Sequence, residues 1–275
     1  MLEIPESNTI ARQFKESVCG KTIANVVAGQ SPHGFAFYFG DPATYSALLA
    51  GKQVEDAKAV GGQVELIVGD ARILWNDGVN IRYLEAETAP SPKHQMYIGF
   101  EDGTKIVCTV QMYAGLYAYP AGANDSAYYA VAKEKPSPLS DAFDAGYFEK
   151  LFRATNPKLS VKALLAAEQR IPGLGNGCLQ DILFHARIHP QTKLSALHDG
   201  AMHALFDSVK STLSEMAAQG GRDTEKDLFG HKGGYKTLMS NKTLHDPCTV
   251  CGGTISRKAY MGGNVYFCPN CQKER

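Results

Sequence analysis

Two Cys-x-x-Cys pairs near the end of the chain, Cys248-Thr249-Val250-Cys251 and Cys268-Pro269-Asn270-Cys271, constrain its fold more than any other feature. They put four soft thiolates on two tight turns with sixteen residues between them. A hairpin across that gap closes the sulfurs into the tetrahedral cage that Zn²⁺ favours. Two disulfides are the other way to use four cysteines; Pro269 in one turn and Gly252-Gly253 after the other favour the metal. Four protein ligands leave no open coordination position, so the expectation is one structural zinc ion that holds a shape and does no chemistry.

With 275 residues, 44% of them hydrophobic and 20% charged, the chain is long enough for two domains with cores of their own, which argues against disorder. No secretory leader opens it and no apolar run reaches membrane length, so a cytoplasmic protein with no membrane partner is expected. Cys19, Cys108 and Cys178 are scattered, as suits a reducing compartment. Residues 1–150 hold 12 Lys and Arg against 18 Asp and Glu, and residues 151–275 hold 16 against 10. The basic half is the half with the cysteines. A cationic half joined to a metal hairpin points to a polyanion, because Lys and Arg that neutralise phosphates release condensed counterions; ordinary scatter of surface charge is the alternative.

The first element expected is a helix over Ile4 to Val18, with Ile4, Ile10, Ala11, Phe14 and Val18 near helical spacing. From Lys21 to about Pro120 the pattern shortens to strands: 22–27, 34–39, 64–68, 72–75, 81–84, 96–100 and 105–112, with one helix at 43–49. Turns are expected at Gly69-Asp70, Asp77-Gly78 and Asp102-Gly103. This reads as a β-sandwich domain over 1–120, followed by a linker over 121–145 rich in small residues and proline. A helical domain is expected over 146–240, with helices at 148–154, 161–169 (capped by Ser160), 178–186 and 201–218, and the zinc hairpin over 241–275. The fold class is α+β.

Between the second and third of those helices lies Arg170-Ile171-Pro172-Gly173-Leu174-Gly175-Asn176-Gly177, three glycines and a proline in eight residues. Two helices joined by such a turn form a helix-turn-helix variant whose second helix turns its positive end outward, a site for an anion, with Asn176 as a side-chain donor. A merely tight connection is the other reading of a glycine-rich turn.

Gly173-Leu174-Gly175-Asn176, Arg187-Ile188-His189-Pro190 and the terminal cysteine pairs ending Tyr266-Phe267-Cys268-Pro269-Asn270-Cys271-Gln272 resemble the formamidopyrimidine-DNA glycosylase / endonuclease VIII family. The order of β-sandwich, helix-two-turn-helix and zinc hairpin matches over the whole chain, and Met1-Leu2-Glu3-Ile4-Pro5-Glu6 looks like the family's N-terminus. The resemblance implies base-excision repair: a monomer that binds double-stranded DNA carrying a damaged or abasic site, kinks it in the cleft between domains and flips the damaged nucleotide out. It implies that Gly175 and Asn176 grip a phosphate, and that Glu3 is the carboxylate that protonates the opening sugar or the leaving base.

Three departures accompany the resemblance. The family's proline, whose amine attacks C1′ to give a Schiff base, is Leu2 here. A bulky second residue is expected to keep Met1, placing a primary amine one residue out of register. The family's phosphate-holding lysine falls in Val60-Gly61-Gly62-Gln63 and its hairpin arginine at Gly263. Lys242, Arg257 and Lys258 are the cations left near the hairpin. The arginine-bearing wedge is replaced near Met112 and Tyr113, which either wedge by apolar bulk and stacking or serve as core and strand-edge residues.

These residues carry two functions. One is a glycosylase, with or without lyase activity, using Glu3 and a terminal amine of Met1 or Leu2, or Glu3 with an activated water. The other is a protein of the same fold that binds damaged or bent DNA without chemistry. A purely structural or RNA-binding zinc protein is the reading furthest from the motifs.

Overall fold

The computed structural model describes residues 2–274, which form two compact units. The first runs to Ala130 and takes in Gly220–Gly233; the second comprises Val131–Gln219 and Gly234 onward.

The first unit opens with helix α1 (Ile4–Ser17), whose Pro5 sits in the first turn, where a missing N–H costs nothing. Nine strands follow, with helix α2 (Tyr45–Leu49) after the second: β1 (Ile23–Ala28), β2 (Ala36–Phe37), β3 (Asp56–Val60), β4 (Gln63–Val68), β5 (Ala71–Trp75), β6 (Val79–Leu84), β7 (Met96–Phe100), β8 (Lys105–Val110) and β9 (Ala114–Pro120). They make two sheets, ordered β1-β7-β8-β6 and β2-β9-β5-β4-β3. One apolar core joins them, with Ile23, Ile98 and Ile106 from one sheet and Val64, Leu66, Ile73 and Trp75 from the other. Helix α1 contributes Ile10 and Phe14, and Phe14 stacks on Trp75 with ring centroids 5.5 Å apart. The β-sandwich expected from the strand spacing is therefore present, and the three expected turns join β4 to β5, β5 to β6 and β7 to β8.

The edges differ from expectation. The run at 34–39 forms only two residues of strand, paired parallel to β9, and β8 stops at Val110 because the chain turns through Tyr113 at φ +42°. Strand β3, which pairs with β4, breaks the apolar pattern with Asp56 and Lys58. The stretch expected as a linker over 121–145 contains helix α3 (Ala127–Glu134), and the division between units falls inside it. Tyr129 of α3 donates its hydroxyl to buried Glu65 of β4, while Phe143 is buried beside Phe148 and Phe206. Small residues and prolines are compatible with a free linker, but two aromatic anchors are not.

Helices α4 (Ala145–Ala154), α5 (Val161–Ala166), α6 (Asn176–His185) and α7 (Asp199–Ala218) build the second unit. Asp144 and Ser160 cap α4 and α5 through bonds from Tyr147 N (2.7 Å) and Ala163 N (3.2 Å), which fixes where each begins. Helix α5 ends three residues short of expectation, with Glu168 and Gln169 in the left-handed region, and α6 starts two residues early at Asn176. Buried Asp181 of α6 accepts from Leu238 N (3.0 Å) and Met239 N (2.7 Å) and so holds the approach to the cysteine hairpin. That hairpin is β10 (Ser256–Tyr260) paired with β11 (Gly263–Phe267).

The segment 220–233 belongs with the first unit because its polar groups complete α1. Gln13 of α1 donates to Asp227 Oδ2 (2.8 Å) and accepts from the N–H of fully buried Leu228 (3.0 Å). Gln13→Ala leaves the Leu228 N–H without its acceptor, so a loss of about 1–3 kcal/mol in urea unfolding is expected.

Candidate functional site

Residues at the start of α1 form a buried ionic cluster. Glu3 is the N-cap of α1 and Glu6 its third residue, and Glu3 N donates to Glu6 Oε2 (3.3 Å) in a capping box. Both carboxylates, 2% and 4% exposed, meet one guanidinium, that of Arg222, itself 3% exposed. Arg222 Nε and backbone N donate to Glu6 Oε1, each at 3.0 Å, and Nη2 donates to Oε2 at 2.9 Å. Its Nη1 lies 3.3 Å from Glu3 Oε1. Gly221, at φ +98°, brings the backbone this close; a Cβ there would stand 3.2 Å from Glu6 Oε1. Burial pushes the Glu6 carboxyl up, but the charge and hydrogen bonds of Arg222 outweigh it and hold it below the ordinary range. Two carboxylates thus share one guanidinium.

Leu2 precedes this cluster. Its side chain is buried in the sandwich core and its N–H donates to the carbonyl of Asp77 (3.1 Å), in the turn between β5 and β6. Met1 lies outside the described residues. Gly78, next in that turn, packs so tightly on the loop after β8 that a Cβ would fall 1.4 Å from the Met112 carbonyl oxygen. Met112 and Tyr113 are exposed on that loop, and Tyr113 packs on exposed Phe35 with centroids 4.6 Å apart. Of the two roles expected for this pair, core packing is thereby excluded. Leu2 and Met112 thus both meet one turn, Asp77-Gly78.

In the second unit the glycine-rich turn makes Gly175 the N-cap and Asn176 the first residue of α6. Asn176 Nδ2 donates to the carbonyl of Asn264 (2.9 Å), and Gln180 Nε2, one turn on, donates to the same oxygen (3.0 Å). Gln180 Oε1 accepts from Tyr266 N (3.1 Å). Lys162 of α5 donates to the carbonyl of Tyr260 (2.7 Å), so helices hold both strands of the hairpin. Gly263 lies beside Asn176, where a Cβ would be 3.5 Å from Nδ2. Lys258 donates to Gln191 Oε1.

The four cysteines converge, with all Sγ atoms within 4.8 Å of one another. The Cys248–Cys271 and Cys251–Cys268 sulfurs are 3.8 and 3.5 Å apart, far beyond the roughly 2.05 Å of a disulfide, which removes the disulfide reading. Four ligands at about 2.3 Å from a tetrahedral centre stand about 3.8 Å from each other, so the cage has the dimensions of a metal site. Gln272 orients it, accepting from Cys268 N (3.0 Å) and donating to the Ile188 carbonyl (2.9 Å).

Known proteins share this arrangement of elements. Residues 135–227 match the profile of the formamidopyrimidine-DNA glycosylase H2TH domain. The chain is 28% identical to the formamidopyrimidine-DNA glycosylase of Cytobacillus firmus, over 99% of its own length and all of the relative's. It is 27% identical to that of Brevibacillus brevis over the full length of both. The chain is thus similar to formamidopyrimidine-DNA glycosylases along its whole length, and its residues 135–227 carry their H2TH domain. Its fold is that of the Thermus thermophilus MutM (Fpg) protein, with a TM-score of 0.80 at 24% identity over 99% of each chain. It is likewise that of Lactococcus lactis Fpg in complex with abasic-site DNA, with a TM-score of 0.83 at 22% identity over 99% of this chain and all of that one. Among the described residues no helix is long and apolar enough to cross a membrane.

Sequence reasoning did not find Arg222, Glu6, Asp77, Phe35, Gln180 or Lys162 as parts of these arrangements. Arg222 stands 216 residues from Glu6, and no local spacing relates them. The Gln180 pattern was available: one helical turn after Asn176, a polar residue on an otherwise apolar stretch invites a partner.

A carboxylate whose folded pKa is depressed contributes stability above its unfolded pKa, about 4.3 for Glu, and loses it as pH falls through the folded value. The Glu6 contribution is therefore full at pH 6–7 and disappears at acid pH. Arg222→Met, which strands both carboxylates, is expected to cost about 3–5 kcal/mol in urea unfolding at pH 7. Its deficit against wild type narrows as pH falls below 4.

Proposed function

We propose that this chain is a DNA base-excision glycosylase acting on duplex DNA that carries a damaged or abasic site. The observation that supports it best is the buried Glu3-Glu6-Arg222 cluster at the start of α1 in a chain similar to Fpg proteins along its whole length. Cleavage of a glycosidic bond builds positive charge on the sugar, and a fixed negative charge that needs no reorganisation favours that transition state. In this reading Glu3 acts as that fixed charge, and Leu2 is a wall of the site, its side chain in the core and its N–H bonded to Asp77. Any Schiff-base chemistry falls to the amine of Met1. Asn176, Gly175 and Lys258 are the proposed DNA backbone contacts, and Met112 and Tyr113 the surface that stacks against bases exposed by flipping.

Cys248, Cys251, Cys268 and Cys271 would hold one Zn²⁺. Bound there it supplies a cross-link that fixes the hairpin and no catalytic step, since all four positions are filled by protein. Metal analysis is expected to return one zinc per chain, with Cys268→Ser losing the metal and the thermal stability of the second unit together. A full-length fold with no metal would overturn this assignment.

Base release from duplexes carrying oxidised bases tests the activity, with borohydride trapping on an abasic duplex alongside. Release is expected, and a trapped adduct on the first residue would add lyase activity. A second reading is favoured by Leu2, which stands where the resemblance would have the nucleophilic proline: a lesion-binding protein without chemistry. It predicts salt-sensitive binding with no product, unaltered by Glu3→Gln.

A further inference from the structure

Within the proposed glycosylase site, on which this inference rests, the described residues offer one carboxylate that is placed to move a proton. Glu3 is not: it is 2% exposed and committed to Arg222 and the capping box. Glu6 is not either, since both its oxygens are taken by Arg222. Asp77 differs on every count. Its backbone carbonyl receives the Leu2 N–H, which puts it at the N-terminal cluster, and its side chain is open to solvent. Among the described residues it has no ion-pair partner. The turn that carries it is rigid, since Val79 N donates to Asn76 O (3.2 Å) across it, Gln111 N bonds the Gly78 carbonyl (2.9 Å), and the Met112 carbonyl fills the space where a Gly78 side chain would be.

We infer that Asp77 is the general base of this protein, activating the water that hydrolyses the glycosidic bond, with Glu3 fixed behind it as the negative charge facing the sugar. Water reaches the carboxylate but protein occupies most of the surrounding volume. Burial, then the charge of Glu3, raise the Asp77 pKa above the ordinary carboxylate value, while the chain's amino terminus pulls it down. Arg222 acts on this balance only by neutralising part of the Glu3-Glu6 pair.

The step balances without a co-reactant. The water oxygen bonds to C1′ as the C1′–N bond breaks, and the bonding pair leaves with the base. Asp77 takes the proton that the attacking water loses and returns it to the departing nitrogen. The products are free base and an abasic site, with no covalent enzyme adduct. The role follows from placement: the backbone carbonyl of Asp77 holds the residue before Glu3, and among the described residues its carboxylate has no ion-pair partner.

The test measures single-turnover base release from a duplex carrying an oxidised base by wild type, Asp77→Asn, Asp77→Glu and Glu3→Gln. Binding of each to a duplex with a tetrahydrofuran abasic analogue is measured in parallel. Asp77→Asn is expected to lose about 100-fold or more in rate, to bind within threefold of wild type and to melt at the wild-type temperature. Asp77→Glu is expected to recover part of the rate, with the acid limb of its pH profile moved. Wild-type release with Asp77→Asn within threefold overturns the inference and leaves the glycosylase reading standing. A wild-type chain that binds the duplex and releases no base from any oxidised substrate overturns both. A misfolded Asp77→Asn passes the decision to Asp77→Glu, whose unchanged rate and pH profile would count against the role.

Discussion

Taking two carboxylates and a guanidinium out of water costs several kcal/mol per ion, and the N-terminus of this chain is arranged around recovering that cost. Arg222 supplies three hydrogen bonds to Glu6 and an ion pair to Glu3, and Gly221 lets the backbone approach closely enough for them to form. Because these groups are satisfied only when 220–233 lies against α1, the cluster also brings a late segment of chain back to the first unit. Removing any one partner strands the others. The same cluster reaches the neighbouring turn, since the charge of Glu3 is felt at Asp77.

The second unit solves a different problem, mainly with side-chain amides. A two-stranded hairpin is marginal alone in water, so β10 and β11 need external support. Asn176 and Gln180 share one carbonyl, Lys162 takes another, and Gln272 ties a metal-ligand turn to the carbonyl of Ile188. The glycine-rich turn thus does more than face an anion: it starts α6 at the residue whose amide holds β11. An Asn176 substitution therefore acts on the hairpin as well as on any ligand.

Much of this was legible before the structure. The cysteine spacing implied a four-sulfur cage, the short strands implied a sandwich, and Ser160 read as a cap by its position before an apolar run. The failures share a cause, which is that local pattern cannot report a partner. Strand β3 is held by backbone bonds to β4 that its polar residues do not advertise. Helix α3 and Phe143 looked like linker because alanines and prolines dominate there, and their burial depends on Glu65 and Phe206, far off in sequence. The burial of the Leu2 side chain in the sandwich core was likewise beyond the reach of local pattern.

By itself the sequence determined the features that depend on spacing: ligand pairs on turns, alternation in strands, caps at helix starts, and a chain order that resembles one family. The tertiary structure alone decided which charges meet. Glu3, Glu6 and Asp77 are three of nine Asp and Glu residues within the first eighty, and no spacing says which of them meets Arg222. Folding hands two of them to an arginine from the other end of the chain and leaves the third open to water. Side-chain chemistry is local, whereas burial and charge pairing are properties of a surrounding that only the folded chain supplies.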